Sequence, residues 1–480
     1  MPTRHLFIAT AVLLTCVFLA PAQTPTSKTQ ATRIKADSTI KPGKVSMAPR
    51  ELARRIDAYL QPLVESNNFT GVVFVARGDR VLFSKGYGMA NYELNVPNTP
   101  AMRFHIASVS KSFTAAAILL LEERGKLSTS DHVSRFLPDY PQGDKIRLDQ
   151  LLTHSSGVPN VNNFPEYGRE SFFPHTVAQV VAMFKDKPLD FEPGTRFRYS
   201  NSNYNVLALI IEKVSGQSYG DFMRANIFEP LELTSTLHHG DAAQMIANRA
   251  VGTEPDGLRG VKFASQIDWS IKTGNGSLVT TAPDLCKFTR SLFEGKLLKP
   301  GSLAKVMQPG PAFPYGWDDR ERFSHKIKGV GGRSPGFISN VEYFLDDQTC
   351  IAVLSNSYSP VTQSPVAPDI SAVLYGQPTS LGSVNLVRPG PGEFAELAGR
   401  YQMPDNYFVP GATLTFEDRG DYLEAHWSNG ATTIIYSVGG GRFLDRTNWA
   451  EIRFTRDDGG HVTGFIYNLT REFTVRRIVP

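Results

Sequence analysis

The hydrophobic pattern of this chain changes character once, and that change rules out a single uniform core. From Arg50 onward, helical and strand-like periods alternate. Leu52, Ile56, Leu60 and Leu63 recur at helical spacing. Gly71-Val72-Val73-Phe74-Val75 and Val81-Leu82-Phe83-Ser84 flank Arg77-Gly78-Asp79, which predicts a β-hairpin. Apolar periodicity predicts helices near 110–124, 176–184, 203–215 and 281–294, then strands at 337–345 and 350–356. Gly376 to Phe394 is rich in Pro, Gly and Ser and reads as a linker. Beyond it only short alternating runs remain, such as Thr413-Leu414-Thr415-Phe416 before Asp418-Arg419-Gly420-Asp421. Residues 395–480 therefore predict a separate all-β unit, a small barrel or sandwich. A length of 480 residues agrees with two domains.

The first residues bear on compartment. Met1 to Arg4 are basic, Leu6 to Leu19 form an apolar run short for a bilayer, and Ala20-Pro21-Ala22 offers small residues for cleavage. Residues 1–22 read as an export signal, with a retained membrane anchor as the alternative, and 23–48 as a flexible tether rich in Thr, Ser, Lys and Pro. The expected location is periplasmic or secreted, with no stable membrane span after cleavage. Removing residues 1–22 takes Arg4 alone among charged residues, so the formal charge falls from +4 to +3. That balance, with no Lys/Arg cluster, argues against nucleic acid as a partner. Two cysteines remain, Cys286 and Cys350. An oxidising compartment permits their pairing, although two buried free thiols are the expectation. No cluster with zinc spacing occurs, and His238-His239 lacks a third ligand nearby, so neither a metal nor an organic cofactor is expected.

The pattern Ser-x-x-Lys occurs at Ser38/Lys41, Ser108/Lys111 and Ser302/Lys305. Context separates the three. Ser108 alone opens a strongly apolar helix, whose buried stripe is Phe113, Ala116, Ala117, Leu120 and Leu121 and whose stop is Gly125. Residues i and i+3 share a helix face, so the Lys111 amine can reach Ser108 Oγ. A serine hydroxyl needs such a base, and a buried lysine is pushed toward the neutral form that accepts a proton. The Ser108 N–H, at a helix start, is free to stabilise an oxyanion. Tyr199-Ser200-Asn201 follows Pro193 to Arg198 and leads into an apolar helix ending at Gly216. A phenol beside an ammonium has a lowered pKa and can shuttle a proton, and an Asn can hold a substrate carbonyl with its NH₂ group. Gly329-Val330-Gly331-Gly332-Arg333-Ser334-Pro335-Gly336 precedes a strand instead of a helix, which argues against a phosphate loop. Glycines on a strand edge suit close approach of a substrate to backbone groups.

Together these blocks resemble the penicillin-recognising serine hydrolases, specifically the class C β-lactamase-like group with its DD-peptidase, D-aminopeptidase and esterase relatives. The resemblance spans about residues 50–375. It includes His105-Ile106-Ala107 before the nucleophile, Leu151-Leu152-Thr153-His154-Ser155-Ser156-Gly157-Val158-Pro159, and Gly276-Ser277-Leu278 with Thr281-Ala282-Pro283-Asp284-Leu285. It implies an α+β fold over 49–375, a helical subdomain on an antiparallel sheet with the active site between them. Ser108 would be acylated, Lys111 and Tyr199 would relay its proton, and Asn201 would grip the acyl amide. The strand Val330, Gly331, Gly332 and Arg333 would line the substrate, with the N–H groups of Ser108 and Arg333 as the oxyanion hole. No metal takes part.

The third motif of that family normally begins with Lys or His, and here Val330 holds the place. Lys328, two residues back on the same strand face, is a candidate replacement cation. Without it, the pocket should favour uncharged acyl substrates. The reading is an exported serine hydrolase of the β-lactamase, D-Ala-D-Ala carboxypeptidase or esterase type. It would act through a Ser108 acyl-enzyme on an amide, β-lactam or ester, with small-molecule or cell-wall peptide substrates. The alternatives are a penicillin-binding or sensor protein that is acylated and turns over poorly, and a β unit that recruits the enzyme to a wall or partner.

Overall fold

The computed structural model describes residues 47–308, 313–359, 365–380, 387, 390, 392–469 and 471–478. The export-signal reading of 1–22 and nearly all of the tether reading of 23–48 lie outside the described residues. Among those described, no helix is long and apolar enough to cross a membrane.

A six-stranded antiparallel sheet forms the centre of the larger unit. Its strands are β1 (Gly71–Arg77), β2 (Arg80–Tyr87), β3 (Asp318–Arg322), β4 (His325–Ser334), β5 (Phe337–Phe344) and β6 (Thr349–Ser355), in spatial order β3-β4-β5-β6-β1-β2. The hairpin expected around Arg77-Gly78-Asp79 is the β1–β2 pair. Strands buried on both faces read as continuous apolar runs, and β1 and β6 do so. Val73, Val75, Ile351 and Val353 face α1 (Pro49–Glu65) and the later helix at Val366–Leu374. The period noted at Leu52, Ile56, Leu60 and Leu63 is the stripe of α1 that covers them.

The opposite face carries Val72, Phe74, Val330, Val341, Ala352 and Leu354 and meets the helical subdomain. Its two central helices are α2 (Ser110–Glu123) and α3 (Asn201–Ser215). Gly216 ends α3 at φ 71°, the left-handed stop that glycine adopts without steric cost. The helix at Ala282–Phe293 places Cys286 against Cys350 of β6, and both are buried free thiols.

The C-terminal unit is a closed barrel of eight antiparallel strands from Gly399 to Ile478, so a barrel and not a sandwich. The last strand pairs back onto the first, which removes both sheet edges. Tyr401, Phe416, Phe465, Tyr467 and Phe473 fill its interior. One buried carboxylate organises one side. Asp445 accepts from Thr433 Oγ1, the backbone N–H groups of Thr447 and Asn448, Asn448 Nδ2 and Tyr467 OH. Its neighbour Arg446 ties the barrel to the end of α1, accepting from Asn68 Nδ2 and donating to Glu65 O at 2.9 Å.

Replacing Asp445 strands several buried donors at once. Asp445→Ala is expected to destabilise the barrel by about 2–4 kcal/mol. Urea unfolding followed through the barrel tryptophans, Trp427 and Trp449, checks this.

Candidate active site

The short strand Phe104–His105 pairs with Leu278–Thr280 and fixes the direction in which the chain enters the cleft. Ala107 then turns through φ 46°, a left-handed conformation costly for a residue with a Cβ. A 3₁₀ turn over Ala107–Val109 follows, and the α-helix begins only at Ser110. Side chains at i and i+3 eclipse in a 3₁₀ turn, which sets Lys111 over Ser108 more directly than an α-helix would. Lys111 Nζ lies 3.1 Å from Ser108 Oγ.

The other partners of Lys111 fix its chemistry. Nζ donates to Asn201 Oδ1 and to Asn275 O, both at 2.8 Å. These two carbonyl oxygens accept the two hydrogens of a neutral amine, so the remaining direction, toward Ser108 Oγ, carries the lone pair. Lys111 is fully buried, and its pKa falls well below the ordinary lysine value, first through burial and then through the charge of Lys272. The rings of Tyr199 and Tyr204 stand 5.0 and 5.6 Å from Nζ. Behind it, Gly316 at φ 88° crosses so closely that a Cβ there would meet Ser112 Cα at 2.8 Å. Water is shut out by this packing.

Tyr199 ends an extended segment just before α3, and its hydroxyl donates to Ser108 Oγ at 2.8 Å. The expected lowering of its pKa is corrected. Desolvation of the phenol raises its pKa despite the opposing Ser108 hydrogen bond. The resting phenol is therefore a neutral donor. His154 backs the ring at 4.4 Å between centroids. Its Nδ1 faces the Ser200 N–H at 3.3 Å and Asn203 Nδ2 at 3.1 Å, and burial above all lowers its pKa and favours the neutral imidazole.

Asn201 reaches Lys111 with its oxygen, while its Nδ2 donates to Asn162 Oδ1 at 2.7 Å and its backbone N–H to Asn160 Oδ1 at 3.0 Å. The amide is thereby oriented, and one of its two N–H bonds is committed within the protein. Asn160, Asn162, Asn275 and His154 were not singled out individually from the sequence. The only signal was proximity, since His154 lies inside a quoted block, Asn160 follows Pro159, and Asn275 precedes Gly276.

Strand β4 closes the other side. Its two-residue turn, Pro335-Gly336, closes on Ser334 and Phe337. Such a turn ends on a hydrogen-bonded pair, and bonding then alternates along the strand. The N–H groups of Arg333 and Gly331 consequently point away from β5. On that side β3 begins only at Asp318, opposite Gly329, so residues 330–334 form an open edge. Gly332 is the point of contact with Ser108. A Cβ there would lie 2.3 Å from Ile106 O and 2.8 Å from Ser108 N. Arg333 is exposed.

Two sequence readings of this strand change. Val330 is fully buried in the core between sheet and helices, and the same alternation turns its backbone groups toward β5, so it presents nothing to a ligand. Lys328 does lie buried nearby, yet its Nζ is held by Val306 O at 2.9 Å and Asp319 at 2.7 Å. It is not a free cation for a substrate. Among the described residues no group of three His, Cys, Asp or Glu side chains gathers as a metal site.

Comparison with known proteins matches this geometry to one family. The Beta-lactamase family model aligns with residues 56–374. Penicillin-binding protein 4* of Bacillus subtilis is 26% identical over 449 residues, covering 86% of this chain and 96% of its own. Teichoic acid D-alanine hydrolase of Staphylococcus aureus is 29% identical over 247 residues, 52% of this chain and 59% of that protein. Among solved structures, the octameric penicillin-binding protein homologue from Pyrococcus abyssi superposes with a TM-score of 0.61 at 22% identity. It covers 88% of this chain and 100% of its own, a likeness of fold.

The protonation of Lys111 sets a pH expectation. Below its lowered pKa the amine is charged and has no lone pair for Ser108, so reaction with a fluorophosphonate probe should rise with pH and level off well below 10.5. Lys111→Arg, permanently charged, should be slower by about 10²–10⁴-fold. Labelling rates followed by intact mass across pH check both.

Proposed function

The chain belongs to the Beta-lactamase family of serine hydrolases, and from that premise we propose that it is an exported enzyme working through a Ser108 acyl-enzyme on an amide, β-lactam or ester. The observation that carries this reading is the contact set around Ser108 Oγ: the Lys111 amine at 3.1 Å and the Tyr199 hydroxyl at 2.8 Å. Lys111 takes the Ser108 proton as Oγ attacks the carbonyl carbon. The N–H groups of Ser108 and Arg333 hold the resulting oxyanion, each worth about 2.7–4 kcal/mol in comparable sites.

Collapse of the tetrahedral species expels the leaving nitrogen or oxygen, which takes the phenolic proton of Tyr199. The proton on Lys111 then restores Tyr199 to its neutral form. Water attacks the acyl-enzyme by the reverse sequence, returning the proton to Ser108 Oγ and releasing the acid. Asn201 orients Lys111 through Oδ1 and offers its second N–H to the acyl group. Gly331 and Gly332 leave room for the substrate backbone along the β4 edge.

The second reading keeps the same first step and slows the second. It is a penicillin-binding or sensor protein whose acyl-enzyme persists, and likeness to a protein named as penicillin-binding favours it.

Benzylpenicillin and a neutral ester separate these readings. The wild-type protein and Ser108→Ala are incubated with each, and intact mass and remaining substrate are read together. Turnover or an adduct that depends on Ser108 is expected, with the variant folded and inert. A decaying adduct marks a hydrolase and a lasting one a penicillin-binding protein. Turnover retained in Ser108→Ala refutes the assignment of the nucleophile.

A further inference from the structure

Three consecutive residues at the start of α3 are each tied to one loop far back in the chain. The Asn201 N–H donates to Asn160 Oδ1 at 3.0 Å, and Ser202 Oγ accepts from the Val161 N–H at 2.8 Å. Asn203 Oδ1 accepts from Ser156 Oγ at 2.7 Å. The helix needs this support, because its own N-cap residue, Ser200, makes no side-chain capping bond. Asn160 thus serves one of the first N–H groups, which an α-helix leaves without an internal partner. The loop is itself stiffened by a 3₁₀ turn over Val161–Asn163. The Asn163 N–H closes it on Asn160 O at 2.9 Å, and the Phe164 N–H on Val161 O at 3.2 Å.

A fourth bond from this loop differs in kind, since it reaches a side chain that touches Lys111. Asn162 Oδ1 accepts from Asn201 Nδ2 at 2.7 Å, while Asn201 Oδ1 accepts from Lys111 Nζ at 2.8 Å. The backbone bond to Asn160 fixes where the Asn201 amide sits and leaves open which end faces Lys111. A carboxamide keeps nearly the same shape after a half-turn, with donor and acceptor exchanged. Here a half-turn would set Asn201 Oδ1 against Asn162 Oδ1, two acceptors with no proton between them. It would also aim an N–H at Lys111 Nζ, where it would compete for the lone pair that the Ser108 proton must reach. The Asn162 carbonyl opposes that arrangement.

We propose that Asn162 is a positioning residue for the Ser108 reaction, holding the Asn201 amide with its oxygen toward Lys111 so that the amine keeps its lone pair for Ser108. The inference rests on the Ser108 reading above. It adds a residue that hydrogen-bonds to neither Ser108 nor Lys111 and acts through Asn201 alone.

The test follows labelling of the full chain by a fluorophosphonate probe, which needs activation of Ser108 and no deacylation. At saturating probe, Asn162→Ala is expected to react about three- to tenfold more slowly, with the half-saturating probe concentration unchanged. Asn162→Asp keeps an acceptor oxygen at the same place. It should recover the wild-type plateau rate, reached at higher pH because a carboxylate there favours the charged form of Lys111. In an Asn201→Ala background, where no amide is left to hold, Asn162→Ala should cause no further loss. A role for Asn162 in packing alone gives the reverse: additive losses and no recovery by aspartate. Wild-type labelling in Asn162→Ala, losses additive with Asn201→Ala, or no recovery in Asn162→Asp at any pH overturns the inference while Ser108 labelling stands. Wild-type labelling no faster than the Ser108→Ala background overturns the assignment of the nucleophile and this inference with it.

Discussion

The active site depends on keeping one amine out of water. Lys111 lies on the first turn of α2, where a lysine would ordinarily carry its charge into solvent. Here Tyr199 and Tyr204 flank it and the Gly316 loop crosses behind it. Burial of an unpaired ammonium is far costlier than burial of an amine, so the fold itself selects the deprotonated form. The hydrogen-bond partners reinforce the choice. Asn201 Oδ1 and Asn275 O offer two acceptors and no anion, which satisfies an amine and leaves an ammonium short of compensation.

The second constraint is steric. Strand β4 approaches the start of α2 so closely that only glycine fits at 332, and Ala107 must adopt a left-handed turn to bring Ser108 into place. These two features join the sheet to the helical subdomain at Ser108. Because Val72, Phe74, Val330, Val341 and Ala352 pack in one core with the helices, the contact is held by a large apolar interface and does not depend on a loop. Strain at Ala107 persists because the surrounding packing over-determines it. The barrel meets this unit at the end of α1 through Arg446 and through Trp449, which packs beside the core under α1.

Much of this architecture was legible in the residues. The α2 stripe of Phe113, Ala116, Ala117, Leu120 and Leu121, the α1 period, the β1–β2 hairpin and the switch to short alternating runs each carry a local signature. So did Ser108, Lys111 and Tyr199, and the fold brings the latter two within hydrogen-bond distance of Ser108 Oγ. The residues that escaped notice share a different property. Asn160, Asn162 and Asn275 sit on turns, where no period marks them, and each acquires meaning only from a partner far along the chain. The electrostatic inferences failed for the same reason. A neighbouring ammonium alone predicts a lowered Tyr199 pKa, whereas desolvation dominates and raises it, and that is a property of the assembled cleft.

What the sequence determined by itself is whatever rests on spacing within one element or on a motif order. That includes the helix faces, the strand alternation, the C-terminal unit as all-β, and the placing of Ser108 and Lys111 at the start of an apolar helix. What only the tertiary structure decided is where charge can survive. Lys328 and Lys111 look equivalent as letters, yet Asp319 pairs with one, while the other is buried against Asn201 Oδ1 and Asn275 O with no anion in contact. Periodicity is a short-range property that a string of residues carries. Desolvation and charge pairing depend on which surfaces meet, and those surfaces come together only when the chain has folded.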